Sequence, residues 1–282
     1  MFQKLEKYLK PRDDSETITR LKEELKKVKT TRDRYRKERD DLREAQKVSG
    51  VREQIAKRLK GEGIEIGALH NPLAVPKEVT VRYVDLRTRE ENQKRYEARN
   101  PDIHKIVETH YVCDGEKLDV IEDESQDFVI ANHMLEHCKD PIRTVENFLR
   151  VTRMGGLLYI TLPDKRFTYD YKRPETTWEH ILHDYETKIE IEPIETYQDW
   201  QKYVNPNADA QSKFENQANI HFHAWTMMEM VEMYSRMQRD LNFPIHLESA
   251  TQRGNECICL LRKEVFEQEH KPNPHEAAAA DS

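Results

Sequence analysis

The segment Gly61-Glu-Gly-Ile-Glu-Ile-Gly67-Ala-Leu-His-Asn-Pro72, followed by Val79-Thr-Val-Arg-Tyr-Val-Asp85, restricts the folds open to this chain more than any other stretch. An apolar run closes on an acid and a glycine, and a second apolar run closes on Asp85. That order sets two strand ends side by side at the carboxyl edge of a parallel sheet, where nucleotide-like ligands are held. Gly67 lets the backbone turn and approach a ligand, and a carboxylate at Asp85 can grip ribose hydroxyls. Asp85 has a competing use as the cap of the helix that follows, because Asp is a favoured N-cap residue.

The rest of the chain supplies the sheet. Strand-like runs fall at 63–68, 79–86, 109–113, 127–132, 156–162, 246–251 and 256–262, with helical stretches at 88–99, 141–153 and 224–241. Alternation of this kind predicts an α/β, doubly wound, mostly parallel seven-stranded sheet. The last two runs are separated only by Gln252–Asn255, so they form a hairpin that adds a C-terminal antiparallel strand.

Ahead of the sheet lies an N-terminal α-helical coiled coil. Pro11 and the acids and hydroxyl of residues 13–16 start a helix in which Ile18, Leu21, Leu25, Val28, Tyr35 and Leu42 recur at spacings of three and four. Arg32, Arg39 and Gln46 dilute the seam, which leaves dimer and trimer open. The competing arrangement is a single charged surface helix. The expected domains are therefore residues 1–48 as an oligomerisation helix, 49–264 as the globular domain, and 265–282 as a disordered tail ending in Ala277–Ala280.

Charge narrows the partners. Residues 1–60 hold 20 Lys/Arg against 12 Asp/Glu, a balance of +8, so with −7 overall the remainder carries −15. An acidic globular part excludes a nucleic-acid backbone as the main substrate, since phosphate neutralisation needs clustered cations. The basic helix can still touch an anionic membrane surface. Cys113, Cys138, Cys257 and Cys259 sit in or beside apolar segments without metal-type pairs, as buried thiols of a reducing compartment do. With no apolar run long enough to span a bilayer and no signal-type start, the expected location is cytoplasmic.

Beyond Glu65-Ile-Gly67 and Asp85, further pieces appear in order: Cys113-Asp114-Gly115, Asp127-Phe-Val-Ile-Ala-Asn-His-Met-Leu-Glu-His137, Arg150-Val-Thr-Arg-Met-Gly-Gly156 and Tyr159-Ile-Thr-Leu-Pro163-Asp164. Over residues 61–264 the chain resembles the class I S-adenosylmethionine-dependent methyltransferases. The resemblance implies that Glu65, Gly67 and Ala68 belong to the loop at the methionine part of the cofactor. It places Asp85 and Leu86 at the ribose, Asp114 and Gly115 at the adenine, and Asn132 with His133 at the methyl-donor pocket. S-adenosylhomocysteine would be the product. Leu69 stands where the usual loop has its second glycine, and Glu-Ile-Gly-Ala-x-x-Asn-Pro is similar to a subgroup found with polysaccharide biosynthesis enzymes.

His133-Met-Leu-Glu-His137 also has the form of the inverted zinc-protease motif. That chemistry needs the motif on a helix, whereas here it follows a strand, so no metal is assigned to it and Glu136 and His137 are read as loop-ordering groups at the mouth of the cofactor site. The stretch 165–222 is a loop-rich insertion and the expected substrate lid. Its Phe167, Tyr169, Tyr171, Trp178, Tyr185, Tyr197, Trp200 and Tyr203, interleaved with acids and histidines, suit a carbohydrate, though such aromatics also pack lids.

A sugar hydroxyl gains from a general base, for which His133, His180, His221 and His223 are candidates. Asp164 is a further catalytic candidate, through a divalent cation that would lower the hydroxyl pKa. The expectation is an O-methyltransferase acting on a sugar in a surface-glycan pathway, in peripheral contact with membrane-associated glycan assembly machinery. The alternatives are a small-molecule or lipid-linked acceptor, and a non-catalytic coiled-coil assembly protein that only binds the cofactor.

Overall fold

The computed structural model describes residues 50–97 and 102–265, together with Glu23, Glu24, Lys27, Thr30 and Thr31, which are helical and exposed. Two units divide the chain, Met1–Gly50 and Val51–Ser282. The seam positions Ile18, Leu21, Leu25, Val28, Tyr35 and Leu42 lie outside the described residues, as do 266–282.

The second unit begins with the short helix α1 (Val51–Ala56) and then alternates strands and helices around one sheet. Its strands are β1 (Glu62–Ile66), β2 (Thr80–Asp85), β3 (Tyr111–Val112), β4 (Gln126–Asn132), β5 (Thr152–Pro163), β6 (Ile245–Arg253) and β7 (Glu256–Lys263). Their order across the sheet is β3-β2-β1-β4-β5-β7-β6. The first five are parallel, and β7 runs antiparallel to both its neighbours. Strand order reverses between β1 and β4, which opens a crevice beyond their carboxyl ends.

The helices on the main face are amphipathic. In α3 (Pro141–Val151) the buried side chains Ile142, Val145, Phe148 and Leu149 recur at three- and four-residue spacing. Asp140 caps it by accepting from Arg143 N, and Pro141 occupies the first helical position, where no amide hydrogen is needed. This helix packs on Val129, Ala131, Leu158 and Ile160 together with α7 (Met227–Leu241) and its Met230, Met233 and Met237.

The other face corrects the doubly wound expectation in part. Its core of Phe128, Ile130, Leu157, Tyr159, Ile258 and Leu260 is covered by Ala56 and Leu59 of the α1 region and by Leu73 and Val79 of the β1–β2 connection. That connection contains no helix. It is pinned instead by a buried carboxylate, since Leu73 N–H donates to both Glu65 oxygens at 3.0 Å.

The insertion is also not loop-rich. It folds into α4 (Trp178–Thr187), α5 (Ile194–Tyr203) and α6 (Ala210–Glu215), with Thr177 and Asp209 as side-chain caps of the first and last. Trp178 and Ile181 join the main core, while Tyr197, Ala210, Ile220 and Phe222 make a small core of their own. Apolar positions too few to mark long stripes conceal these short helices in the sequence. Cys138, Cys257 and Cys259 are buried and Cys113 half-buried, all as free thiols. Among the described residues no helix is long and apolar enough to cross a membrane.

Candidate functional site

A cavity of about 230 Å³ lies at the carboxyl edge where the strand order reverses, lined by the ends of β1, β2 and β4. Gly67 closes β1 with φ +66, a conformation that favours glycine, and its amide donates to Val84 O at 2.9 Å. A Cβ added there would meet nothing within 4 Å, so open space stands over this backbone. Asp85 and Leu86 follow β2 on the cavity wall. The helix after them, α2 (Arg89–Tyr96), is capped by Thr88 in a reciprocal capping box with Glu91. Asp85 therefore has no capping duty among the described residues, and its Oδ1 accepts the nearby Arg87 N–H at 3.1 Å.

Across the cavity, Asp114 accepts from Glu116 N at 3.0 Å through Oδ1, and Gly115 gives room for the wall. A Cβ on Gly115 would stand 2.6 Å from Ile66 Cγ2 and 2.9 Å from Met134 Cε. Asn132 is held on both sides of its amide, donating to Glu65 Oε1 at 3.0 Å and accepting from Thr161 Oγ1 at 3.0 Å. Glu65 itself is 1% exposed and lies beneath the loop, not on the cavity wall. Burial pushes its pKa up to about 7, against the lowering effect of the Leu73 and Asn132 hydrogen bonds. Ala68 is likewise not on the wall.

The histidines have different fates. His133 lines the cavity and donates through Nε2 to Glu256 Oε2 at 2.8 Å, a carboxylate also held by Arg52 and Arg253. Burial alone would lower the His133 pKa, but its contacts to Glu136 and Glu256 and their charges outweigh that and push it up to about 9. At neutral pH this ring is an imidazolium, with no lone pair to accept a proton.

His221 is fixed by Asp170, whose Oδ2 meets Nδ1 at 2.6 Å, and its ring touches those of His137 and Tyr169 with centroids 4.7 and 4.8 Å away. His223 is 1% exposed and stacked on Trp225, and burial, aided by the charges of His180 and Arg173, pushes its pKa down to about 3. His180 stands in the first turn of α4, 3.4 Å from Asp184. Asp164, fully buried, accepts from Arg166 N at 3.0 Å, Arg166 Nη2 at 2.6 Å and Met227 N at 3.4 Å. Neither His180, His223 nor Asp164 lines the cavity.

Residues 61–160, which contain the whole β1–β4 edge of this cavity, match the family described as methyltransferase domain. Over that stretch the chain carries a methyltransferase domain of the S-adenosylmethionine-dependent kind. A comparison with curated proteins returned no match. Among solved structures, the chain is similar to a methyltransferase of Thermotoga maritima described as a possible histamine N-methyltransferase, at 16% identity and TM-score 0.39, over 73% of this chain and 82% of that one. A methyltransferase of Aquifex aeolicus aligns at 13% identity and TM-score 0.38, over 79% of this chain and 87% of the other. One from Methanosarcina mazei aligns at 19% identity and TM-score 0.39, over 73% and 93%.

The cavity takes in Gly67, Asp85, Leu86, Asp114, Gly115, Asn132 and His133 from the residues picked out in sequence. His137, expected as a loop-ordering group at the mouth of the cofactor site, stands on the wall too, and the walls that sequence reasoning did not assign include Glu116, Met134, Cys138 and Asn219. Glu116 lies two residues past Asp114, and Met134 to Cys138 continue the loop after β4, so proximity to the recognised strand ends was the available signal. Asn219 comes from the far end of the insertion and carries no such signal.

Proposed function

We propose that this methyltransferase is an O-methyltransferase that acts on a sugar hydroxyl in a surface-glycan pathway. The observation that carries the reading is a run of ring contacts from the cavity to an exposed aromatic: His137 on the wall meets His221, and His221 meets Tyr169. Phe167, Tyr169 and Tyr171 are 57%, 52% and 58% exposed, at alternate positions just after β5, and Tyr169 lies against His221. Exposed aromatic faces beside imidazoles and carboxylates fit the C–H faces and hydroxyls of a carbohydrate. Trp178 and Tyr197, by contrast, are buried, the first in the main core and the second in the small core of the insertion.

The cofactor, when bound, supplies a sulfonium methyl group as the electrophile. In this proposal the open space over Gly67, with Ala68 after it, takes its methionine part. Asp85 accepts from the ribose hydroxyls, Asp114 accepts from the adenine amino group, and Asn132 is held by Glu65 and Thr161 as a preset wall beside the methyl group. The acids of the wall also suit a cationic ligand electrostatically. With His133 already protonated, the imidazoles left near the acceptor end are His137 and His221.

Calorimetric titration with S-adenosylmethionine of the parent and of Asp85→Ala tests the cofactor assignment. The expected result is binding by the parent and a loss of about tenfold or more in the variant, of the order of one charge-assisted hydrogen bond pair. Equal affinities would remove Asp85 from the site. Incubation with labelled methyl donor and a panel of glycans, nucleotide sugars and lipid extracts tests the acceptor. Label confined to lipids or other small molecules would overturn the sugar assignment, and label in no pool would overturn catalysis on these acceptor classes.

A further inference from the structure

Glu136, His137 and His221 each bring a ligand atom to within 4.8 Å of the other two. Glu136 is 1% exposed, and neither of its carboxylate oxygens has a hydrogen-bond partner among the described residues. Its nearest cation, His133 Nδ1, stands 3.6 Å from Oε1, beyond ordinary hydrogen-bond length. The His133 imidazolium gives Glu136 a counter-charge but no hydrogen bond, so the buried oxygens keep lone pairs that a further cation beside the two imidazoles can take.

The two imidazole rings are already oriented as a cation needs. His137 Nδ1 meets Ile220 O at 2.8 Å and His221 Nδ1 meets Asp170 Oδ2 at 2.6 Å. Both partners can only accept, so in each neutral ring Nδ1 carries the proton and Nε2 carries the lone pair. Asp170 is in turn held by Arg173 Nη1 at 3.1 Å, and Arg173 also donates to His221 O at 2.7 Å. Imidazoles whose far nitrogen is tied to a carboxylate or a carbonyl are the usual outer arrangement of a metal site.

We propose that Glu136, His137 and His221 bind one divalent first-row transition-metal ion at the side of the methyl-donor cavity that His137 lines. Two imidazoles and one carboxylate favour ions such as Zn²⁺, Co²⁺, Mn²⁺ or Fe²⁺ over Mg²⁺ and Ca²⁺, which prefer all-oxygen sites. Three protein ligands leave positions open for oxygens of the acceptor. A coordinated hydroxyl loses its proton to solvent more readily, which is the task a base would otherwise perform. The metal site stands on geometry alone, and its role in activating the acceptor rests on the methyl-transfer reading above. Of the three ligands, two come from the loop after β4 and the third from the end of the insertion, which is why the His-x-x-Glu-His spacing does not reveal the set.

The test uses the full chain, freed of metal with a chelator and titrated with Co²⁺ while its visible absorption is followed. One Co²⁺ per chain with d–d bands is expected. His221→Ala and Glu136→Gln should each weaken binding at least about tenfold, and Asp170→Asn, which touches only the outer arrangement, about 10- to 100-fold. Far-UV circular dichroism and S-adenosylhomocysteine affinity, measured in parallel, separate a misfolded variant from one that has lost its metal. If Glu136→Gln does not fold, His221→Ala carries the comparison. Absence of stoichiometric binding, affinity unchanged in His221→Ala, or an intense thiolate charge-transfer band that places the ion on cysteines would each overturn the site. Failure of Co²⁺ to bind while S-adenosylhomocysteine still does would sink the metal and leave the methyltransferase standing.

Discussion

Glu65 shows how one residue can serve the cavity without entering it. Its carboxylate receives Leu73 N–H and Asn132 Nδ2–H, so it holds the loop over β1 and the Asn132 amide on the cavity wall at once. The cost is burial of an acid whose pKa rises from an ordinary 4.5 to about 7. Between those values the unfolded chain gives up the proton that the folded protein keeps, so this group makes stability fall as pH rises from about 4.5 to about 7. Glu116 and Glu192, also pushed up to about 7 by burial, act in the same direction.

Glu65→Gln removes its own share of that dependence. Measured by urea denaturation across this window, the stability of the variant relative to the parent should climb with pH by about 3 kcal/mol at most. A constant difference from acid to neutral pH would show that Glu65 is ionised throughout. Adjacent residues also part company here: Glu65 and Ala68 were legible as members of the loop, but which side of it each occupies depends on the turn at Gly67 and on Leu69, both at positive φ.

At the scale of the element, α3 is the best-specified helix of the domain, with a cap, a proline start and a continuous buried stripe. Phe148 lies in that stripe at 0% exposure, packed into the main core. Truncation by Phe148→Ala should cost about 3–5 kcal/mol, read as a lower denaturation midpoint with an unchanged slope. A loss under about 1 kcal/mol would mean that the core closes over the gap. The insertion behaves differently. Its helices are short and two of them pack on a small separate core, so their apolar positions gave too little periodicity to be recognised. For the same reason its aromatics could not be sorted in advance into the buried Trp178 and Tyr197 and the exposed Phe167, Tyr169 and Tyr171.

At the scale of the whole molecule, the proposed role of residues 1–48 is assembly into a dimer or trimer through the heptad seam. Deleting them should lower the solution mass, measured by light scattering, to that of a single shortened chain, while S-adenosylmethionine affinity stays within about threefold, because among the described residues the cavity walls run from Ile66 to Asn219. A mass per assembly that still corresponds to several chains would place the oligomer contacts elsewhere.

The seven strands were legible because each is a local run of apolar and β-branched residues. Thr80–Asp85 and Gln126–Asn132 end in the polar residues that the sheet edge then presents. Asp85, Asp114 and Asn132 could be picked out for the same reason, since a residue at the end of a parallel strand must face the crevice wherever the strand goes. The sequence by itself thus determined the strands, their parallel sense and the residues at their carboxyl ends. Only the tertiary structure decided that His221 returns from the end of the insertion to stand against His137, and that Asp170 and Ile220 O orient the two rings. Those contacts join segments far apart in the chain, and nothing in local spacing encodes a meeting that depends on how intervening helices pack.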